Sequence, residues 1–341
     1  MAIRSRTPTR VDFAGGTTDL YAFSSREGGA VLNAAIDRHA YCTLQVRAVT
    51  GVRITSQDLE QYVTATNIKE LEFDGNLDLL KAAARALDVP AGLDITVRCD
   101  APPGSGTGSS ASIGVALLGL LDCVRSGRSA QPSRLSRFEL AELACSLEKE
   151  LGIVGGKQDQ YAAAVGGFNY MEFYGDGRVA VEPLDLRPDV RCDLEKHLVL
   201  CYSGESRLSG STNQKMISAY EAGDPVVCGA LRTVKRIAQD MHRALLIGDL
   251  RRFGDLLSEE WEARQLLGEG VVTPRLAELH ELAMAAGAAG GKVCGAGGGG
   301  CLLFLSLPDQ EGGVRRALNE AGGRIIDFSF DLRGLQVWEM S

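Results

Sequence analysis

The sequence lacks several features that would place it in other classes of protein. Its nine cysteines form no Cys-x-x-Cys pair and its four histidines are scattered, so we expect reduced thiols and no zinc site. Aromatic residues make up only 6% of the chain. The most apolar stretch, residues 113–121, is far shorter than the roughly 18 residues that a membrane span needs.

The chain also has fewer basic than acidic residues. Lysine and arginine number 36 against 44 acidic residues, a net charge of −8. This balance disfavours nucleic acid as the main partner, because binding to a phosphate backbone requires a basic surface. No apolar segment follows the charged residues at the start, so we expect no signal peptide and a cytoplasmic location. A small molecule remains the expected partner, without nucleic acid or membrane; the pattern does not indicate the oligomeric state.

The length and the order of predicted elements indicate two α+β domains. At roughly 100–200 residues per domain, 341 residues suffice for two. Strands and helices are mixed without a regular βαβα alternation, which favours α+β over a doubly wound sheet. A polar segment rich in glycine and proline, 174–193, indicates a boundary that divides the chain into 1–185 and 186–341.

Individual elements follow from periodicity and capping signals. Strands are predicted near 3–13, 31–49, 93–99, 291–294 and 301–306. Helices are predicted near 77–87, 109–124, 136–151, 211–221, 226–246, 249–268 and 274–287. The chain is predicted to close with a helix and a strand in the region 324–338. Ser136 and Glu139 have the spacing of a capping box, and Thr273 with Pro274 has that of an N-cap followed by a first-turn proline.

The segment 100–112, Asp-Ala-Pro-Pro-Gly-Ser-Gly-Thr-Gly-Ser-Ser-Ala-Ser, joins a predicted strand to a helix that is apolar nearly all round. Its three glycines allow positive φ angles and close approach to a ligand, and the start of the following helix provides free N–H groups for an anion. It is neither a Walker A loop nor a dinucleotide fingerprint, because the required lysine and last glycine are absent. A flexible Gly/Ser turn is the alternative. The predicted phosphate-binding residues are Gly104, Ser105, Gly106, Thr107, Gly108, Ser109 and Ser110.

Two further glycine-containing segments stand near the ends of the chain. Residues 9–20 combine Arg10 with a Gly15-Gly16 turn and Asp19. Residues 292–303 contain four consecutive glycines between two predicted strands. Such a run has a high conformational entropy cost, which close backbone approach to a ligand would explain.

These three segments, in this order, resemble the three signatures of the GHMP kinases, the family of galactokinase, homoserine kinase, mevalonate kinase and phosphomevalonate kinase. The resemblance implies an ATP-dependent kinase that uses Mg²⁺. It also implies a two-domain fold: an N-terminal domain like the second domain of ribosomal protein S5, which carries the ATP loop, and a ferredoxin-like C-terminal domain. The active site would lie in the cleft between the two domains.

The resemblance also assigns roles to single residues. Asp159 matches the family's proposed base, Arg10 the basic residue near the transferred phosphoryl group, and Ser110 and Glu148 the Mg²⁺ ligands. Glu148 shares a helical face with small residues, which independently favours a buried role. Lys157 would face the same site if its segment is extended, and we predict a catalytic role for it. The predicted substrate-binding residues are Gly15, Gly16, Thr17, Asp19, Arg207, Gly295, Ala296 and Gly297.

Within the family, the pattern most resembles the kinases that phosphorylate the anomeric hydroxyl of D-glycero-D-manno-heptose 7-phosphate. Arg207, in a Ser/Gly-rich turn, is suited to clamp a distal phosphate. Thr17 departs from the pattern, since a third glycine is expected there. Two alternatives remain: a kinase of the same fold that acts on a free sugar such as fucose or on a non-sugar alcohol, and a non-catalytic nucleotide-binding protein.

Overall fold

A computed structural model describes residues 2–47, 51–87, 89, 92–125, 134–206 and 209–339. The strands are β1 Ala2–Ala14, β2 Gly29–Arg47, β3 Val52–Ser56, β4 Gln61–Ala65, β5 Gly92–Cys99, β6 Phe168–Phe173, β7 Val179–Leu184, β8 Leu198–Tyr202, β9 Ala288–Val293, β10 Cys301–Ser306, β11 Arg324–Ile326 and β12 Gln336–Glu339. The helices are α1 Tyr21–Glu27, α2 Asp78–Leu87, α3 Ser109–Arg125, α4 Arg137–Glu150, α5 Gln158–Val165, α6 Pro188–His197, α7 Ser209–Glu221, α8 Pro225–Ile247, α9 Leu250–Gln265, α10 Pro274–Ala285 and α11 Glu311–Glu320. Within these ranges, none of the helices combines the length and apolarity that a bilayer crossing demands.

The first sheet is organised around the long strand β2. Its described strands run in the order β12-β1-β2-β5-β3-β4, and β6 pairs with the first part of β2 and with β7. All of these pairs are antiparallel except β3 with β5. Because β1 and β6 flank the same end of β2, the chain segments that follow them meet at that end.

The second sheet is antiparallel, with its described strands in the order β11-β8-β10-β9. In sequence order these are strands 4-1-3-2 of a βαββαβ arrangement, the ferredoxin-like topology that the resemblance implied. The turn between β9 and β10 contains the four-glycine run, and therefore lies at one edge of this sheet.

Helix α3 forms the centre of the first core. It is apolar on nearly all sides, as the sequence predicted, and it packs between the first sheet and helices α2, α4 and α5. The capping box of Ser136 and Glu139 is confirmed at the start of α4, and Thr273 caps α10 with Pro274 in its first turn. These local signals place the helix ends close to where the sequence predicts them.

The two sheets share a second core. Phe13 on β1 contacts Phe253 on α9 edge to face, with ring centroids 5.3 Å apart, and both belong to a buried cluster that includes Leu303 of β10. The boundary between residues 185 and 186 stays a prediction. The final strand departs from that division, since β12 pairs with β1 in the first sheet although it comes from the C-terminal segment.

Candidate active site

The glycine loop between β5 and α3 has an unusual backbone. Gly104, Gly106 and Gly108 have φ angles of 68°, 74° and 78°, in the left-handed region that favours glycine. The loop lies against the β9–β10 turn: a Cβ on Gly106 would be 2.6 Å from the carbonyl oxygen of Cys294. Close packing of these two glycine segments forms one wall of a cleft.

Side chains divide the loop into an inner and an outer face. The hydroxyls of Ser105 and Thr107 bond to each other at 2.7 Å and are 1% exposed, so Thr107 points into the protein. Ser112 also turns inward, donating to the carbonyl oxygen of Pro8. Thr107, one of the predicted phosphate-binding residues, therefore has its hydroxyl occupied within the loop and is absent from the residues that line the cleft. Ser109 and Ser110 remain at the cleft.

Arg10 and Asp159 form an ion pair beside the loop. Arg10 Nε donates to Asp159 Oδ1 at 2.8 Å, Nη2 lies 2.6 Å from the same oxygen, and Nη1 donates to the carbonyl oxygen of Gly106. Burial alone would lower the pKa of Arg10, but the charges of Asp159 and Asp12 outweigh it and raise the pKa. The Arg10 side chain is 4% exposed and that of Asp159 27%, so the carboxylate is the member of the pair that is open to the cleft.

Asp19 joins the first glycine segment to the start of α5. Its carboxylate accepts the backbone N–H of Thr17 at 3.1 Å and that of Gln158 at 3.0 Å. A Cβ on Gly156 would be 1.9 Å from Asp19 Oδ2, so only glycine fits there. Burial, together with the charges of Asp159 and Asp12, raises the pKa of Asp19 to about 6, although the bond from Gln158 opposes this shift.

Glu148, in the last turn of α4, is a carboxylate without a cationic partner among the described residues. Burial and the nearby charge of Asp159 raise its pKa to about 7. Glu148 and Ser110 line the same cleft, and a divalent cation between them would supply the missing positive charge. The described residues contain no cluster of three or more metal-binding side chains.

These groups surround one cavity of about 640 Å³. Of the residues that the sequence predicted, the cavity is lined by Arg10, Thr17, Asp19, Gly104, Ser105, Gly106, Gly108, Ser109, Ser110, Glu148, Asp159, Gly295, Ala296 and Gly297. Residues far apart in the sequence thus converge on a single cleft. Among these lining residues, Arg10 is the one cation and there are three carboxylates, so the excess of negative charge favours a ligand that carries a cation.

Other predicted residues lie elsewhere. Lys157 precedes α5 with helical backbone angles rather than in an extended segment, and its ammonium donates to Glu142 and to the carbonyl oxygen of Gly177. The prediction that Lys157 faces the site is therefore wrong. Gly15 and Gly16 pack behind the wall, where a Cβ would be 2.0 Å from the oxygen of Ala30 and 2.3 Å from Asp12 Oδ2, respectively. Arg207 lies outside the described residues.

A buried network of four charges lies behind the cleft, and the sequence did not predict it. Asp12, Glu260, Arg264 and Lys292 are all fully buried. Lys292 Nζ lies 3.1 Å from Asp12 Oδ2 and 3.6 Å from Glu260 Oε1, and Arg264 Nε donates to Glu260 at 2.9 Å. Burial is the largest single effect on the pKa of Asp12 and would raise it, but the charges of Lys292, Arg264 and Arg10 together outweigh burial and lower the pKa.

Arg264 also connects two glycine segments of the site. Its Nη2 donates to the carbonyl oxygen of Gly16 at 3.1 Å, and its Nη1 donates to that of Gly295 at 2.9 Å. The i, i+4 spacing of Glu260 and Arg264 on a helix was the available sequence signal, but such pairs are common on surfaces. Only the fold shows that this pair is buried between the two sheets.

The cavity also includes residues that were not among the individually predicted site residues. They are Leu20, Ala111, Gly152, Ile153, Val154, Gly155, Gly156, Gln158, Gln160, Gly210, Asn213, Cys294 and Gly299. Most are neighbours of predicted residues, but Asn213 comes from α7 and had no sequence signal.

Comparisons with known proteins agree with this geometry. The family model described as GHMP kinases N terminal domain matches residues 77–167, and the one described as GHMP kinases C terminal matches residues 241–324. A D-glycero-alpha-D-manno-heptose 7-phosphate kinase of Campylobacter jejuni is 32% identical, with 99% of each chain covered. A bifunctional fucokinase/GDP-fucose pyrophosphorylase of Arabidopsis thaliana is 27% identical over 88% of this chain and 29% of its own length. The crystal structure of a D-glycero-D-manno-heptose 1-phosphate kinase from Bacteroides thetaiotaomicron superposes with a TM-score of 0.81 at 32% identity, covering 99% of each chain.

Proposed function

Because the chain belongs to the GHMP kinase family and is an ATP-dependent sugar or sugar-phosphate kinase, we propose that it transfers the γ-phosphoryl group of ATP to the anomeric hydroxyl of a sugar phosphate. The proposed acceptor is D-glycero-D-manno-heptose 7-phosphate. The observation that carries the proposal is the convergence of the Arg10–Asp159 pair, the glycine loop and Asp19 on one cavity.

The residues of the cavity fit the requirements of phosphoryl transfer. Asp159 accepts the proton of the attacking hydroxyl at Oδ2, since both contacts with Arg10 use Oδ1. Arg10 stabilises negative charge at the transferred group, and the backbone N–H groups of the glycine loop and the start of α3 bind the ATP phosphates. An anomeric hydroxyl is more acidic than an ordinary alcohol, so a partly effective base suffices.

Mg²⁺ is part of the proposal. Glu148 and the hydroxyl of Ser110 would hold it, and the ion supplies charge neutralisation for the phosphates. The half-buried carboxylate of Glu148, which has no cationic partner among the described residues, supports this assignment. Binding requires the ionised carboxylate, so we expect Mg²⁺ affinity to increase with pH through about 7.

The acceptor is tested by a coupled ADP-release assay with Mg-ATP and a panel of sugars and sugar phosphates. The panel includes heptose 7-phosphate and heptose 1-phosphate, because the names of the two 32%-identical relatives place the acceptor phosphate differently. Turnover of heptose 7-phosphate, with an acid-labile anomeric phosphate as product, is expected. Turnover of heptose 1-phosphate alone would contradict the anomeric assignment, since that hydroxyl is already occupied.

A free sugar such as fucose is the second candidate, favoured by the similarity to the fucokinase-containing relative. The same panel separates the two. Activity on fucose that exceeds the activity on any sugar phosphate would retain the kinase and reject the phosphorylated acceptor. In that case Arg207 would have no distal phosphate to bind, and Arg207→Ala would leave the acceptor KM unchanged.

A further inference from the structure

Arg264, on α9, is fully buried, and every nitrogen of its guanidinium donates a hydrogen bond. Nε donates to both carboxylate oxygens of Glu260, at 2.9 and 3.1 Å, and Nη2 donates to one of them. Nη1 donates to the carbonyl oxygen of Gly295 at 2.9 Å, and Nη2 to that of Gly16 at 3.1 Å. A lysine would neutralise Glu260 equally well, but only a planar fork of fixed donors can hold two carbonyl groups in addition. The contacts therefore serve more than charge balance.

The bond to Gly16 acts on Asp19 through one peptide unit. The carbonyl of Gly16 and the next N–H along the chain belong to the same trans peptide, so the two groups point in opposite directions. Arg264 holds the carbonyl, and the N–H on the other side donates to Asp19 Oδ1 at 3.1 Å. Asp19 Oδ2 accepts the N–H of Gln158, the first residue of α5, at 3.0 Å. Asp159 follows directly, so a continuous chain of hydrogen bonds connects Arg264 to the start of the helix that carries the proposed base.

The bond to Gly295 acts on the β9–β10 turn in the same way. Its carbonyl points to the buried guanidinium, so the N–H of Ala296, in the same trans peptide, points away from it. Ala296 lines the cavity, and its N–H meets no hydrogen-bond acceptor among the described residues. A free N–H held at a fixed angle stabilises negative charge that develops on a ligand. Arg264 thus keeps one free donor turned away from the buried charges, on a residue that lines the cavity.

The attachment of this turn to the glycine loop does not depend on Arg264. At the base of the turn, the N–H of Cys294 donates to the carbonyl oxygen of Cys301 at 2.7 Å, and the N–H of Cys301 donates to that of Ser105 at 2.8 Å. These bonds join the turn to the loop without the guanidinium. Arg264 therefore sets the orientation of the peptide at Gly295 and not the contact between the turn and the glycine loop.

We infer that Arg264 is a positioning residue for phosphoryl transfer, which fixes the start of the Asp159 helix and the free N–H of Ala296 relative to each other. Arg264 does not line the cavity, so it acts through these groups and not on a substrate. The inference rests on the proposed function for the reaction, and it adds a residue, oriented by Glu260, that lies outside all three glycine segments. Phosphoryl transfer depends on alignment, and a displacement of about 1 Å can lower the rate about 10²-fold.

The first test measures steady-state kinetics of two variants of the full chain with Mg-ATP and the best acceptor of the panel. Arg264→Lys keeps the charge beside Glu260 but cannot hold both carbonyl groups. The double variant Glu260→Gln with Arg264→Met removes both charges together, and leaves Asp12 paired with Lys292 at 3.1 Å. At a temperature where thermal unfolding shows each variant to be folded, we expect kcat to fall at least about tenfold and the KM for ATP to stay within about threefold of wild type. A purely structural role would lower the Tm and leave the kcat of the folded enzyme unchanged.

The matched control is a second arginine–glutamate pair on the same helix. Arg252 Nη1 lies 2.7 Å from Glu259 Oε1, and neither side chain is buried. The double variant Glu259→Gln with Arg252→Met makes the same chemical changes without touching a glycine segment. Its kcat should remain within about twofold of wild type. If both double variants lost kcat equally, the loss would belong to α9 in general, and the role assigned to Arg264 would be overturned.

The second test needs no acceptor. Amide hydrogen exchange of the ligand-free chain, followed by mass spectrometry, should be at least about tenfold faster in Arg264→Lys than in wild type for the segments 16–19 and 156–160, and unchanged for 4–9 on β1. Unchanged exchange in the first two segments, or a wild-type kcat in Arg264→Lys, would overturn the inference. A wild-type enzyme that turns over no sugar or sugar phosphate would instead refute the proposed function, and the exchange comparison would still decide whether Arg264 holds these segments in place.

Discussion

At the residue scale, Asp159 and Lys157 are two positions apart but point in opposite directions. Asp159 is open to the cavity and paired with Arg10, whereas the ammonium of Lys157 is bound to Glu142. We expect Asp159→Asn to lower kcat by about 10²-fold or more, because the proton of the attacking hydroxyl loses its acceptor, while the KM for ATP stays within about threefold. Steady-state kinetics with ADP detection measures both.

The matched control for this prediction is Lys157→Met. It removes a charge two residues from Asp159 without touching the cavity, so kcat should remain within about threefold of wild type. Asparagine still accepts a hydrogen bond from Arg10, which limits the loss of stability in Asp159→Asn. A large loss of kcat in Lys157→Met, with little in Asp159→Asn, would reverse the two assignments and restore the role that the sequence suggested for Lys157.

Glu148 gives a second prediction, on pH dependence. Its pKa in the folded chain, about 7, is above the ordinary value of 4.5, so the folded state holds the proton more tightly than the unfolded chain does. Its contribution to stability is therefore fully present below about pH 4.5 and is lost as pH increases through about 7. Without Mg²⁺ and nucleotide, Glu148→Gln should have a higher Tm than wild type at pH 8 and the same Tm at pH 4.5.

The exposed neighbour Glu150, on the same helical turn, provides the control for this experiment. Glu150→Gln should leave the difference between the Tm values at pH 8 and pH 4.5 unchanged. Adding Mg-ATP at pH 8 should stabilise wild type more than Glu148→Gln, because a charged carboxylate binds the ion more strongly than a neutral amide oxygen does. Equal pH profiles for wild type and Glu148→Gln would show that the pKa of Glu148 is not raised in the folded chain.

At the scale of elements, the glycine loop, which we propose to bind the ATP phosphates, packs closely against the β9–β10 turn. Gly106 combines a φ of 74° with a Cβ position 2.6 Å from the oxygen of Cys294. Alanine there must displace one segment from the other, so we expect Gly106→Ala to raise the KM for ATP at least about tenfold and to lower stability by about 1–3 kcal/mol. Kinetics and urea unfolding test the two effects separately.

Gly177 offers a control with the same backbone requirement. Its φ is 87°, but a Cβ there would meet no atom within 4 Å. Gly177→Ala should therefore show the cost of the left-handed conformation without any change in the KM for ATP. A similar increase in the KM for ATP in both variants would mean that it arises from a general loss of stability rather than from the contact of the two glycine segments.

The sequence predicted those features that depend on local patterns. The glycine segments, the capping box of α4 and the largely apolar helix α3 are encoded within about twenty residues, and each is found where the pattern indicates. The sequence could not predict the direction in which individual side chains point. Lys157 turns away because α5 begins at Gln158 rather than later, and the hydroxyl of Thr107 turns inward because Ser105 is its partner.

Contacts between distant segments were missed for a similar reason. The pairing of β12 with β1 brings the end of the chain to its beginning, and no periodicity indicates which edge a short strand will join. Asn213 lacks any motif, since a single asparagine on a helix is usually a surface residue. The buried charges of Glu260 and Arg264 resemble an ordinary surface pair in the sequence, so their burial follows from the fold alone.

At the scale of the whole molecule, the two sheets are held together by a common buried core rather than only by a linker. The Phe13–Phe253 contact and the four buried charges both lie where β1 meets α9 and β9. A buried charge that loses its partner destabilises a protein by roughly 3–5 kcal/mol. Removing the ammonium of Lys292 leaves Asp12 short of its nearest cation, so the effect should reach both sheets.

The two tryptophans allow this coupling to be measured, since one lies in each part of the molecule. Trp261 on α9 stacks on His280 with ring centroids 4.2 Å apart, and Trp338 is on β12 in the first sheet. Each of the variants Trp261→Phe and Trp338→Phe retains a single tryptophan. We expect the fluorescence of each variant to show one transition in urea. The midpoint of that transition should coincide with the midpoint seen by far-UV circular dichroism. Adding Lys292→Met to either variant should shift both probes to the same lower midpoint. If Lys292→Met lowered the midpoint of Trp261 fluorescence and left that of Trp338 in place, the two sheets would be unfolding independently, and the cleft between them would be held together by ligand rather than by the shared core.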